Sequence, residues 1–179
     1  MIREFAPDRL DVNGFAKAAA TLSGSEPMNH YRRLHAELAD PSGELAVRWK
    51  AEGQSRRGVD GSAVPWLHLT ARASVPLVCQ RCLSPVEVAL DVDRWFRFAV
   101  DEATASAEDG EADEDVLVAA HDFDLHGLIE DELLMALPVT PRHEVCPAPL
   151  RLSAADPDFD AAESAKPNPF AVLGQLKSD

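Results

Sequence analysis

Basic side chains are scarce in this chain: 17 Lys and Arg stand against 31 Asp and Glu, a formal charge of -14 at pH 7. A surface this acidic repels nucleic-acid phosphates over most of its area, so any RNA contact has to be local. The deficit is lopsided. Residues 1–97 hold 13 bases against 12 acids, whereas residues 98–179 hold 4 against 19. Basic proteins are therefore the natural partners of the second half. Aromatics make up only 6% of the chain, but an apolar content of 46% still suffices for a core. No apolar run reaches the roughly 18 residues of a membrane span. The stretch Met1–Asp8 is polar, without the apolar segment of a secretory signal, and the expected location is cytoplasmic. Gly-rich phosphate loops, Walker motifs and nucleophile–base orders are lacking, so the expectation is a protein that is not an enzyme and has no small-molecule substrate.

Cysteine is also sparse, at three residues, and in a reducing compartment this argues for metal or a free thiol over a disulfide framework. Two of the three form Cys79-Gln80-Arg81-Cys82, and the third closes His143-Glu144-Val145-Cys146 about 60 residues downstream. Two thiols separated by two residues can face one tetrahedral ion, and a His-x-x-Cys pair can complete the set. The predicted metal ligands are Cys79, Cys82, His143 and Cys146 around a structural zinc ion. A thiol-disulfide oxidoreductase is the competing reading of the same pair. It lacks the helix N-terminus that lowers a redox thiol's pKa, because Pro85 and a β pattern follow. Arg81, at the tip of this turn, reads either as a phosphate or carboxylate contact or as solubilising charge. Arg32-Arg33, Arg48, Lys50 and Arg56-Arg57 would extend such a patch, and a direct RNA-binding module is the other alternative reading.

The remaining pattern predicts an α+β fold. Asn13 as N-cap and the alanines after Phe15 predict a helix ending at Gly24. Tyr31, Leu34, His35 and Leu38 predict a short second helix. Period-two alternation begins at Leu45, and residues 53–61 read as an exposed hairpin loop. Alternation resumes over Val64–Val78 and Val86–Phe98, placing the CxxC pair on the turn between two strands of a curved antiparallel sheet. Residues 101–115 carry eight acids and no base and read as a mobile acidic loop. Val116–Val118 reads as an edge strand. Asp124 caps a helix with Leu125, Leu128, Ile129 and Leu133 on its buried stripe, ended by Pro138. On this helix Glu130, Asp131 and Glu132 point in three directions, as a solvated face or as an acidic protein-binding one. The expected organisation is one domain over 1–150 and a flexible Pro-rich tail over 151–179 ending in an apolar peptide.

Three stretches together carry a resemblance: Val78-Cys79-Gln80-Arg81-Cys82-Leu83, the helix from Asp124 to Pro138, and Lys166-Pro167-Asn168-Pro169-Phe170-Ala171-Val172-Leu173. In this order they resemble the YceD family, the large ribosomal RNA subunit accumulation proteins. The resemblance implies a non-enzymatic ribosome-biogenesis factor supporting synthesis, processing or stability of 23S rRNA. Many relatives look as if they close the metal site with a second cysteine pair, where this chain has His143 and Cys146. Built on these residues, the expected mechanism is an adaptor. Its acidic half and the peptide bearing Asn168, Pro169 and Phe170 engage a basic ribosomal or ribosome-assembly protein, and the Arg-bearing half touches the 23S rRNA precursor.

Overall fold

A computed structural model describes residues 5–58, 61–110, 112–147 and 170. The chain divides into two compact units, Met1–Glu144 and Val145–Asp179. The architecture below is that of the first. In the second, the expected Pro-rich tail, with Asn168 and Pro169, lies outside the described residues apart from an exposed Phe170.

The first unit is α+β, built on a five-stranded sheet in sequential order. Its strands are β1 (Thr21–Pro27), β2 (Ala46–Arg57), β3 (Ala63–Val78), β4 (Pro85–Ala99) and β5 (Asp115–Val118). The helices are α1 (Val12–Lys17), α2 (Arg32–Ala36), α3 (Glu102–Asp109) and α4 (Leu125–Met135). The expectation of a wholly antiparallel sheet is corrected: β5 runs parallel to β4, so the sheet is mixed. Two strands that run the same way need a long crossover, and the acidic segment supplies it. That segment is not the loop expected over 101–115, because residues 102–109 form α3. The Asp101 carboxylate caps it by accepting from Thr104 N at 2.8 Å, Ala105 is buried, and Arg97 binds Glu108 and Glu114.

Two further expectations are corrected near the N-terminus. Helix α1 is capped by Asp11, not Asn13, and it ends at Ala18; Ala19 takes a left-handed φ of 47°. The chain then turns into β1, which pairs along β2 from Thr21↔Glu52 to Pro27↔Ala46. Likewise the expected hairpin loop at 53–61 is mostly strand, since β2 continues to Arg57. Strands β3 and β4 fall where alternation placed them. They pair from Trp66↔Arg97 to Val78↔Pro85.

The core lies on one face of the sheet. Val47, Leu69, Val75, Phe96 and Phe98 from the strands meet Phe15, Leu34, Leu125, Ile129 and Leu133 from α1, α2 and α4. Asp124 caps α4 as expected, accepting from Gly127 N at 2.8 Å. Close approach fixes one glycine. A Cβ on Gly53 would lie 2.8 Å from the Phe15 carbonyl oxygen, so α1 can sit on β2 only because that side chain is missing. Glu26 is the polar hub of this region, accepting from Tyr31 Oη at 3.1 Å and Trp49 Nε1 at 3.3 Å and meeting His126 at 3.0 Å.

Candidate metal centre

Strands β3 and β4 are joined by residues 79–84, and the backbone of this connection folds back on itself. Leu83 N donates to Cys79 O at 2.8 Å, and Cys79 N donates to Ser84 O at 3.0 Å. Closing so tightly forces Leu83 to a φ of 61°, a left-handed conformation that a branched side chain rarely adopts. The Leu83 side chain is 76% exposed, so no core packing accounts for that strain.

The segment around His143 is sewn to this turn from the other side. Gln80 N donates to Pro141 O at 2.8 Å, and the Arg81 guanidinium donates to the carbonyls of His143 at 2.8 Å and Glu144 at 3.2 Å. Arg81 thus holds the two segments to each other. The His143 Nδ1 lies 3.4 Å from Cys82 Sγ, which also meets Ser84 Oγ at 3.0 Å. One ligand atom each from Cys79, Cys82, His143 and Cys146 falls within 4.8 Å of all the others. All three cysteines are free thiols.

These distances suit a tetrahedral ion. Zinc bonds of about 2.3 Å to sulfur and 2.0–2.1 Å to nitrogen imply ligand separations of roughly 3.8 Å between sulfurs and 3.6 Å between sulfur and nitrogen. The thiol chemistry agrees. Cys79 is fully shielded from water, which alone would push its thiol up. The backbone N–H groups of His143, Arg81 and Cys82 and the His143 imidazole outweigh that and bring it down to about 5. His143 is in turn held above the ordinary imidazole range, first by Cys79 and, against its own desolvation, by Cys82. A sulfur that is anionic near neutrality is what a soft metal takes as ligand.

The three acids of α4 find partners inside the fold. Glu130 accepts from the backbone N–H groups of Arg33 at 2.7 Å and Leu34 at 3.3 Å, capping α2, which has no side-chain cap of its own. It also binds the Arg33 guanidinium at 2.9 Å, as Asp131 does at 2.6 Å. Glu132 is buried, 3.5 Å from Arg94. Sequence reasoning did not find Ser84 beside Cys82, the Glu26 hub, or a stack of Arg56, Trp66, His68 and Trp95 on the outer face of the sheet. Only the last had a signal, since strand alternation puts residues 56, 66, 68 and 95 on the side away from the core.

Cys79 and Cys82 of the β3–β4 connection, with His143 and Cys146, could hold a metal ion through three sulfurs and one imidazole, which would leave no open coordination position. The chain belongs to the family of the large ribosomal RNA subunit accumulation protein YceD, whose model matches residues 67–177. It is 36% identical over 110 residues to the large ribosomal RNA subunit accumulation protein YceD of Haemophilus influenzae, a match covering 58% of this chain and 60% of that relative. No solved structure matches the chain. Among the described residues no helix is long and apolar enough to cross a membrane.

Proposed function

We propose that the protein is a non-enzymatic ribosome-biogenesis factor that supports synthesis, processing or stability of 23S rRNA. It works as an adaptor whose β3–β4 hairpin is braced by a structural zinc ion on Cys79, Cys82, His143 and Cys146. The observation that carries this reading is the convergence of those four side chains in a chain of this family. The ion's role here is to hold two distant segments; Arg81 and the N–H donors around Cys79 prepare the sulfurs for it. The acidic second half and the 166–173 peptide, with Asn168, Pro169 and Phe170, then engage a basic ribosomal or assembly protein in the cytoplasm.

The test is the ratio of large- to small-subunit rRNA in cells lacking the gene. The ratio is expected to fall, and the full chain to restore it. A chain without residues 166–179 is expected to bind zinc normally yet no longer co-sediment with large-subunit precursors. An unchanged rRNA ratio on gene loss would overturn the reading. The competing reading of the same pair, thiol–disulfide exchange, is disfavoured by the complete burial of Cys79. That reading requires a metal-free protein that reduces a disulfide substrate.

A further inference from the structure

The closed end of the β3–β4 hairpin presents apolar side chains to solvent. Val78 and Pro85 form the last pair of its ladder, and both are exposed. Leu83, two residues before Pro85, is 76% exposed. The bond from Gln80 N to Pro141 O brings a second segment alongside, on which Val139 is 97% exposed. Among the described residues of the first unit, the exposed large hydrophobics are Val78, Leu83, Val100, Met135 and Val139. Three of these five belong to the two joined segments. Single apolar side chains scattered over a surface are ordinary, whereas a concentration marks a place that something covers.

Leu83 is the least expected of them. A φ of 61° strains any residue with a Cβ and suits glycine. Leucine gains nothing here from the core, to which it does not belong. Strain that the fold itself does not use is kept where a function needs the side chain. The charges around this tip are mostly acidic. Asp40 follows Ala39, whose N–H donates to Pro76 O at 2.8 Å, and Glu87 stands across the ladder from Pro76. Glu144 follows His143, whose carbonyl accepts from Arg81. All three acids are exposed. Of the bases on these segments, Arg81 is committed to two main-chain carbonyls and Arg142 is exposed.

We propose that this tip docks a basic protein, whose apolar side chains cover Leu83, Val78 and Val139 while its Lys and Arg meet Asp40, Glu87 and Glu144. An apolar anchor inside a charged rim is the usual anatomy of a protein–protein interface. RNA would meet the acids with its phosphates, and residues 76–87 and 137–144 hold no Phe, Tyr or Trp for a base to stack on. A second copy of the chain would set acid against acid, each copy carrying a formal charge of -14. That the partner belongs to the large subunit rests on the reading under Proposed function; the apolar anchor and its acidic rim do not.

The experiment places a photo-crosslinking benzophenone side chain at position 83, 139 or 100 of the full chain in cells and identifies each adduct by mass spectrometry. Positions 83 and 139 are expected to capture the same basic protein. Position 100, exposed at the other end of β4, is expected not to. With that protein purified, Leu83→Gly should weaken binding at least ~10-fold. Its melting temperature should stay level or rise by up to about 4 °C, because glycine takes this φ freely. Glu87→Lys should slow association severalfold at low salt and little at high salt. Adducts with RNA, with a second copy, with an acidic protein or with nothing would overturn the proposal. So would equal capture from position 100, or a Leu83→Gly chain that binds as tightly as its parent or melts lower. If the captured protein is basic but foreign to the large subunit and the rRNA ratio is unchanged on gene loss, this surface stands and the proposed function falls. If the ratio falls while the tip captures nothing, the reverse holds.

Discussion

Glu132 has to give up most of its hydration to sit between α4 and the sheet, and the Arg94 guanidinium at 3.5 Å restores only part of it. Desolvation therefore holds its carboxyl above the ordinary range, with Arg94 pulling the other way. A carboxyl whose pKa is raised by folding costs stability wherever it is ionised, and the cost disappears as pH falls through the folded value to the unfolded one. Glu132→Gln is expected to raise the unfolding free energy at pH 8 by about 1 kcal/mol, because the amide has no charge to desolvate and the partly exposed Arg94 keeps its ion pair with Asp115. The advantage should vanish below about pH 4.5, the ordinary value for this side chain. Urea unfolding at both pH values checks this, and a loss of stability at pH 8 would mean Arg94 needs the charge. Sequence reasoning gave the three acids their separate directions around the helix. It could not name their partners, since Arg33 lies 97 positions from Glu130 and no local rule links them.

At the scale of elements, the period of two made β3 and β4 readable because their inward positions are occupied by apolar side chains. Strand β1 shows the opposite case. Its inward positions are Leu22, Gly24 and Glu26, so two of the three break the hydrophobic pattern. Both have tertiary reasons: a Cβ on Gly24 would lie 2.8 Å from the Trp49 ring, and Glu26 serves Tyr31, Trp49 and His126. Helix α3 was hidden by its charge, which Arg97 at one end offsets through a partner the local sequence does not announce. The same dependence on close approach gives a prediction at β2. Gly53→Ala forces backbone apart where α1 crosses the strand and is expected to destabilise by roughly 1–3 kcal/mol. Chemical denaturation would measure it, and a neutral result would mean that α1 can lift off at no cost.

Across the whole molecule, the CxxC and HxxC pairs made the Cys/His cluster legible, because a tetrahedral ion would need four donors and the chain offers them at matching spacing. Arg81's structural role was not legible, since its acceptors are main-chain carbonyls that carry no sequence signal. The purified chain is expected to hold about one zinc ion per molecule. Stripping it with a chelator should lower the melting temperature by on the order of 10 °C, and Cys82→Ser should reproduce that loss without added chelator. A melting temperature indifferent to both would remove the brace from the account.

The order of the ligands along the chain also sets an order in time. Cys79 and Cys82 leave the ribosome some 60 residues ahead of His143 and Cys146, an interval of roughly 3–12 s at ordinary elongation rates. During those seconds the nascent hairpin has two thiols and no clasp. A newborn chain is thus most open to oxidation of its thiols while it is still being made, and translation speed becomes one of the variables that decide how much of it matures.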